Sequence, residues 1–505
     1  MDTTTPLLLM LFASLVRQAS GAEEPGTREL DSAVPTMNQV KEAVVRNNNQ
    51  FALELHRQLA SRSENGNTVC SPNSVSNALG MLYLGARGKT AEEMASTLHF
   101  DVPATELGTF LSLADPTRNR PLFRLGVTVV ENKGDGVQVS QVVPEGPGAG
   151  AGIRVGDVLL AIDNHKLRSE SDFKRAVDYS TGHIDLKKYD VATKTEVAVS
   201  VTMTADFDQP SPTQDVNAEY LRLANAVWIQ KDYDVRTEYI ELLNKTFHAS
   251  AEQVDFQKAT EASIAKINSW VAAKTHDAIK ELVTRDTVDA TARLVVTNAV
   301  SFKGLWLQEF DAAKTVEGEF IGLDGKAVAV PMMRASRSLK YAKTDELQAV
   351  EIPYRDSTLT MVILLPNMEQ GLAAMENSLS AKKLETLLIE LKSAQVDLRL
   401  PRFSISTDAP LREVLENMGM RSALNAEAAD FSGITPQGDL FLSTVLHQAR
   451  IKVDEKGTTA SAATAGVGVP RGGFSVPFHV DHPFVFLLRD SISDSIVFVG
   501  RVVRP

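Results

Sequence analysis

The sequence predicts an α+β protein of more than one domain, and three observations carry that expectation. At 505 residues, with 43% hydrophobic and 23% charged residues, the chain is long enough for two or three domains of ordinary globular composition. Apolar residues recur at helical spacing near the N-terminus and alternate at strand spacing elsewhere. The third observation is a stretch, Gly457 to Val480, that carries one formal charge at Arg471 and is otherwise small, apolar or hydroxyl-bearing. Exposed loops normally carry Asp, Asn, Lys and Glu, whereas a run of Thr, Ala and Ser reads as a strand without a sheet. At period two, Thr458, Ala460, Ala462, Thr464, Gly466 and Gly468 share one face, and that face can be buried.

Taken in order, residues 1–22 hold the apolar run Pro6 to Val16 followed by Ala19, Ser20, Gly21 and Ala22. A secretory signal peptide cut after Gly21 or Ala22 is expected, and with it a secreted, periplasmic or extracellular location. The run is too short to span a membrane, and no later segment is long enough. Residues 23–36 are polar and expected to be disordered. Val40, Val44, Phe51, Leu53, Leu55 and Leu59 then predict an amphipathic helix over Asn38 to Ala60. Ser71 and Ser74 precede an apolar run and read as helix caps. Cys70 is the one cysteine, so no intrachain disulfide forms, and its apolar setting predicts an inert buried thiol. Further on, Gly156-Asp157 marks a turn, Phe173, Ala176 and Val177 a helix, and Glu196 to Met203 a strand; Gln209 to Thr213, rich in proline, reads as a linker.

Several ordered motifs carry a family resemblance. They are Glu455-Lys456-Gly457-Thr458 with the Ala/Ser/Thr run after it, Asn298 to Trp306, Leu400-Pro401-Arg402-Phe403, Asp430 to Ile434, His447, and Asp481 to Phe486. Together they resemble the serpins, the serine protease inhibitor family. The resemblance implies three β-sheets with surrounding helices, residues 37–115 and 209–505 forming that domain and 455–480 its reactive-centre loop. Glu455, Gly457, Thr458, Ala460 and Ala462 would be the loop hinge. Ser71, Ser74, Asn298, Trp306 and His447 would control opening of the main sheet at its breach and shutter. Between them, 116–208 with its linkers resembles the PDZ domains of Deg-type proteases, a small β-sandwich or barrel module. In that module Leu125 and Gly126 would present backbone N–H groups to a C-terminal carboxylate, while Val127 and Val129 form the edge strand that a peptide extends.

The chemistry expected is inhibition and not catalysis. No Gly-x-Ser-x-Gly elbow occurs, and Cys70 lacks the surroundings of a catalytic thiol. His479 and His482 flank Asp481 without further ligands, so no metal and no cofactor are expected. The net charge of −12 disfavours nucleic acid as a partner. Counted from Glu455 as one, the seventeenth residue is Arg471, which the resemblance makes the bait residue, with Arg471–Gly472 as the reactive bond. A lone arginine suits the acidic pocket of a trypsin-like serine protease, and Val469-Pro470-Arg471-Gly472 resembles sequences favoured by thrombin-like enzymes. The stretch from Arg471 to Pro483 is about one residue longer than in familiar serpins, which keeps Gly472 and Phe474 open as alternatives. The implied mechanism is suicide cleavage followed by loop insertion, by a chain that is monomeric before it meets its protease. A non-inhibitory serpin, or a scaffold working through its PDZ-like module, is the alternative.

Overall fold

A computed structural model of the chain describes residues 37–63, 66–101, 107, 111, 121–132, 134–163, 165–178, 183–210, 221–247, 249, 251–355, 357–368, 371–458, 475–491 and 493–505. The leader at 1–22, the polar segment 23–36 and the loop residues Ala460, Ala462, Arg471 and Gly472 lie outside them. The chain divides into two compact units, one around Arg118–Asp215 and one comprising Arg46–Thr117 with Val216–Pro505.

Helix α1 (Met37–Arg62), which belongs to the larger unit from Arg46 onward, is two residues longer at its C-terminal end than the periodicity predicts. Strand β1 (Thr68–Cys70) leads into helix α2 (Pro72–Tyr83), every residue of which is buried. Proline suits the first helical position, where its missing N–H costs nothing. Ser71 occupies the N-cap position, yet its side chain makes no capping bond. Its hydroxyl donates instead to the Val497 carbonyl at 2.8 Å, because a fully buried hydroxyl takes the acceptor the neighbouring strand offers. The capping expected of Ser74 also fails, since Ser74 lies inside the helix. Helix α3 (Gly88–Leu98) ends at His99 in the left-handed conformation.

The smaller unit contains β2 (Pro121–Arg124), β3 (Val127–Glu131), β4 (Val137–Val142), β5 (Val158–Ile162), β6 (His165–Lys166), β7 (His183–Asp190), β8 (Thr195–Thr202) and β9 (Thr204–Pro210). Its sheet runs in the order β3-β4-β5-β7-β8. The described residues of the unit also form two helices, α4 (Pro147–Gly150) and α5 (Glu170–Asp178), and Phe173, Ala176 and Val177 of α5 pack on Leu125, Val139, Leu159 and Leu186. The stretch read as a linker starts inside β9, where Pro210 pairs with Pro121. Proline is tolerated there because the two-stranded ribbon β2-β9 has an edge on each side. Lys188 and Asp157, each 2% exposed, form an ion pair of 2.6 Å. Asp157 also accepts the N–H groups of Arg154 and Val191, which ties the Gly156-Asp157 turn to the end of β7.

The chain then returns to the larger unit with β10 (Leu221–Gln230), helix α6 (Thr237–Phe247), β11 (Ala251–Val254), helix α7 (Thr260–Lys274), β12 (Leu294–Phe302) and β13 (Gly304–Leu305). Next come β14 (Val316–Ile321), β15 (Ala327–Lys343), β16 (Leu347–Pro353), β17 (Leu359–Pro366), helices α8 (Gly371–Ser378) and α9 (Ala381–Glu390), β18 (Lys392–Pro401) and β19 (Phe403–Pro410). Helix α10 (Arg412–Met418), β20 (Leu442–Asp454), β21 (Gly457–Thr458), β22 (Val476–His479), β23 (Phe484–Asp490) and β24 (Ile496–Val502) finish the fold.

These strands make three sheets. The main sheet has the order β11-β10-β12-β20, with β19 on the far side of β20. Strand β12 is antiparallel to β10 but parallel to β20. The other two sheets, β1-β24-β23-β17-β16 and β14-β15-β18-β22, are joined because the 17-residue β15 pairs with β16 at one end and with β14 and β18 along the rest. One face of the main sheet packs Val300, Phe302 and Ile451 against Phe484, Phe486 and Phe498. The other packs Trp228, Val295 and Ala299 against Ile264 and Ile267 of α7. Burial on both faces is why β12 reads as a nearly continuous apolar run.

Candidate functional site

Strands β12 and β20 lie side by side and run parallel, which forms a seam inside the main sheet. Three side chains cross it in register: Asn225 of β10 faces Asn298 of β12, which faces His447 of β20. Asn298 donates from Nδ2 to Asn225 Oδ1 at 2.5 Å and to Ser74 Oγ at 2.6 Å, and its Oδ1 lies 2.5 Å from His447 Nδ1. The Ser71 backbone N–H donates to His447 Nε2 at 3.3 Å. These partners require a proton on Nδ1 and a lone pair on Nε2, so the imidazole is neutral. Burial pushes its pKa down to about 4 in the same direction. Helix α2 thus presents Ser71 and Ser74 beneath a row of polar groups that joins β10, β12 and β20. Opening the seam breaks the Asn298–His447 link. Asn225 has no signal in the sequence, standing in an alternating strand; only its register reveals it.

At the upper end of the seam, β21 separates the strands. Thr458 pairs with Gly304 of β13 on one side and Val453 of β20 on the other, and it is fully buried. Gly457 has φ +148, and a Cβ there would sit 2.0 Å from the Gly304 carbonyl oxygen, so glycine is required. The turn before it is held by three elements. Trp306 donates from its indole to the Asp454 carbonyl at 2.9 Å, and from its backbone N–H to the Lys456 carbonyl. Phe310 N–H donates to the Glu455 carbonyl. The Glu455 carboxylate accepts Arg402 Nε at 2.9 Å on each oxygen, Arg402 Nη2 at 2.6 Å and Thr315 Oγ1 at 2.5 Å. Burial works against its charge, but the bonds from Arg402 and Thr315 outweigh it and hold the carboxyl below the usual range. Trp306 stacks on Tyr354 with centroids 4.5 Å apart, and the Tyr354 hydroxyl lies 3.0 Å from Thr458 Oγ1. Burial pushes this phenol far above its ordinary range, so it stays neutral. Tyr354, Thr315 and Arg402 are not among the residues the sequence singled out as site residues.

On the far side of the loop, β22 pairs in parallel with β18, and His479 Nε2 lies 3.0 Å from Asp397. His482 bonds Asp481 and the Pro366 carbonyl. Both histidines are thereby used in local structure, and the described residues contain no cluster of three metal-ligating side chains. Cys70 is buried, and burial raises its thiol pKa, which leaves it inert.

In the smaller unit, Gly126 has φ +74 and its carbonyl accepts the Val143 N–H, while the buried Leu125 carbonyl accepts the Gly148 N–H. Among the described strands β3 pairs with β4 alone, so its other edge is unpaired. Val127 is half-buried, and Val129, 7% exposed, belongs to the core. The edge therefore offers its backbone more than the Val129 side chain.

Comparison with known proteins agrees with this architecture. The model of the family described as "Serpin (serine protease inhibitor)" matches residues 46–134 and 172–505, and that of the PDZ domain matches 138–184. Serpin B3 of Homo sapiens is 31% identical over 475 residues, covering 93% of this chain and 100% of that protein. Iripin-8 of Ixodes ricinus is 31% identical over 503 residues, covering 98% of each. Among solved structures, maspin superposes with a TM-score of 0.67 at 20% identity, and uncleaved ovalbumin with 0.66 at 20%; each covers 92% of this chain and 100% of its own. These matches place the chain in the serpin family, a family of serine protease inhibitors and not of enzymes.

Proposed function

We propose that the protein is a suicide inhibitor of trypsin-like serine proteases, with Arg471–Gly472 as the bait bond. The protease serine attacks the Arg471 carbonyl carbon, the Arg471–Gly472 amide breaks, and Gly472 leaves as a free amine carrying the added proton. The loop N-terminal to Arg471, now an ester of the enzyme, inserts between β12 and β20. The observation that carries this reading is the hinge, whose residues Gly457 and Thr458 are already paired on both sides. The residues that follow Thr458 at period two, Ala460, Ala462 and Thr464, are small enough to continue the strand. Each backbone hydrogen bond gained on insertion contributes about 1 kcal/mol net, and over a long strand these outweigh any single contact at the seam. Incubation with trypsin or a thrombin-like enzyme, followed by denaturing electrophoresis, is the test. A band near the summed masses is expected, and Arg471→Ala abolishes it; a band of undiminished intensity with that variant overturns the assignment of the bond.

The unpaired edge of β3 beside the Leu125-Gly126 turn supports a second activity, binding of C-terminal peptides by strand addition. Fluorescence anisotropy of the full chain with peptides bearing a free or an amidated C-terminus tests it, and equal binding of both forms argues against carboxylate capture. Export, read from residues 1–22, completes the proposal, and N-terminal sequencing of the secreted protein checks it.

A further inference from the structure

We propose that Tyr354 is a positioning residue that fixes the register of the inserting strand before the bait bond is cut. This rests on the reading above that the loop enters the seam. Register matters because a slip of one residue exchanges the two faces of a strand. The hydrophobic pattern usually decides register, but this loop gives it little to work with. One frame sends Thr458, Ala460, Ala462, Thr464, Gly466 and Gly468 inward, and the slipped frame sends Thr459, Ser461, Ala463, Ala465, Val467 and Val469. Small residues occupy both, so the frame has to be set outside the loop.

The structure contains such a device. Tyr354 is fully buried, stacked on Trp306 at an interplanar angle of 21° and set edge-on to Phe302 with centroids 4.9 Å apart. Gly304 makes room for it, since a Cβ there would lie 2.8 Å from Tyr354 Cδ1. The ring is therefore fixed from three sides, and its hydroxyl reaches Thr458 Oγ1 at 3.0 Å. Thr458 is the partner that the described residues provide for this phenol, and the bond forms only when Thr458 faces inward. Gly457 supports the same frame, because its backbone conformation and its contact with Gly304 exclude a side chain. Two buried hydroxyls that satisfy each other discriminate strongly, as a slipped strand leaves one unpaired. The first residue of the arm is thus in frame before the protease arrives.

The test is a double-mutant cycle on the full chain: Tyr354→Phe, Thr458→Val, and both together. The reading is the number of inhibitor molecules consumed per trypsin molecule trapped. Each single variant strands a buried hydroxyl and raises that number about tenfold. The double variant removes both hydroxyls, keeps the shapes and returns to within about twofold of the parent. A double variant no better than the worse single, or a Tyr354→Phe variant that behaves like the parent, overturns the proposal; loss of packing at Trp306 alone gives no such rescue. Should the parent trap no trypsin, the proposed function fails separately. The cycle is then read on the rise in thermal midpoint after the loop is nicked by papain. A rise in the parent and double variant, reduced in both singles, sustains the register role. An equal rise in all four forms, or none in the parent, overturns it.

Discussion

Asn298 and His447 face each other across the parallel seam of the main sheet, and the 2.5 Å contact between Asn298 Oδ1 and His447 Nδ1 is a polar side-chain link that the proposed insertion would have to break. The link depends on a neutral imidazole, whose Nε2 is occupied by the Ser71 N–H. A second proton on His447 has no acceptor there, and its charge would be buried.

A pH dependence follows. The His447 pKa is about 4 in the fold against an ordinary 6.5, so the unfolded chain binds a proton that the fold does not. The contribution is fully present above pH 6.5 and is lost as pH falls from 6.5 towards 4. Urea midpoints measured from pH 7.5 to 4.5 should decline for the parent and decline less for His447→Gln. Parallel slopes for the two proteins would contradict the assignment.

Gly457→Ala should disable the hinge. The new Cβ would overlap the Gly304 carbonyl, and φ +148 strains any side chain, so β21 leaves its place between β13 and β20. Trypsin then turns the variant over as substrate, while its near-UV spectrum stays close to the parent's. Unaltered trapping would mean that the pairing of β21 plays no part.

Thr458→Arg should act in the same direction and more strongly. The site is fully buried, and a guanidinium placed there costs several kcal/mol with no carboxylate on β13 or β21 to pair it. Cleavage is expected to outrun insertion. The ratio of cleaved to trapped product on a denaturing gel reads this, and a parental ratio sinks it.

Lys188→Met tests what holds the smaller unit together. It leaves Asp157 buried with two backbone N–H donors but no cation, at a cost of about 3 kcal/mol. Amide exchange in β5 and β7 should accelerate by more than tenfold in the full chain, and adding Asp157→Asn should restore part of the protection. Exchange unchanged by Lys188→Met would show that the ion pair contributes nothing to holding the turn.

What the sequence reveals here is local, and what it conceals depends on pairing at long range. The helix over Met37–Arg62, the strand Thr195–Thr202 and the inward face of Thr458 were all accessible from periodicity. Tyr354 was not, because its partner lies 104 positions further along the chain and the two strands that bring them together give no sign of it. Asn225 is hidden for a related reason: an asparagine in a half-buried strand looks like a surface residue until its neighbour across the sheet is known. Ser71 misled in the opposite way. A serine before a proline-led helix is the ordinary signature of a cap, and burial against β24 redirected its hydroxyl to Val497. The stretch at Gln209 and Pro210 looked like a linker because proline normally interrupts strands, an inference that fails on a two-stranded ribbon.

Strands β22, β23 and β24 all follow Arg471, and between them they bury Phe478, Phe484, Phe486 and Phe498 completely. Severing the chain at Arg471–Gly472 therefore turns one polypeptide into two that share a single interior. With one cysteine there is no covalent tie between the pieces, and the burial of four phenylalanines at about 2 kcal/mol each, with the ladders to β1, β17 and β18, has to hold them. The piece spanning 472–505 should migrate with the remainder under native conditions and appear as a separate small peptide only in detergent.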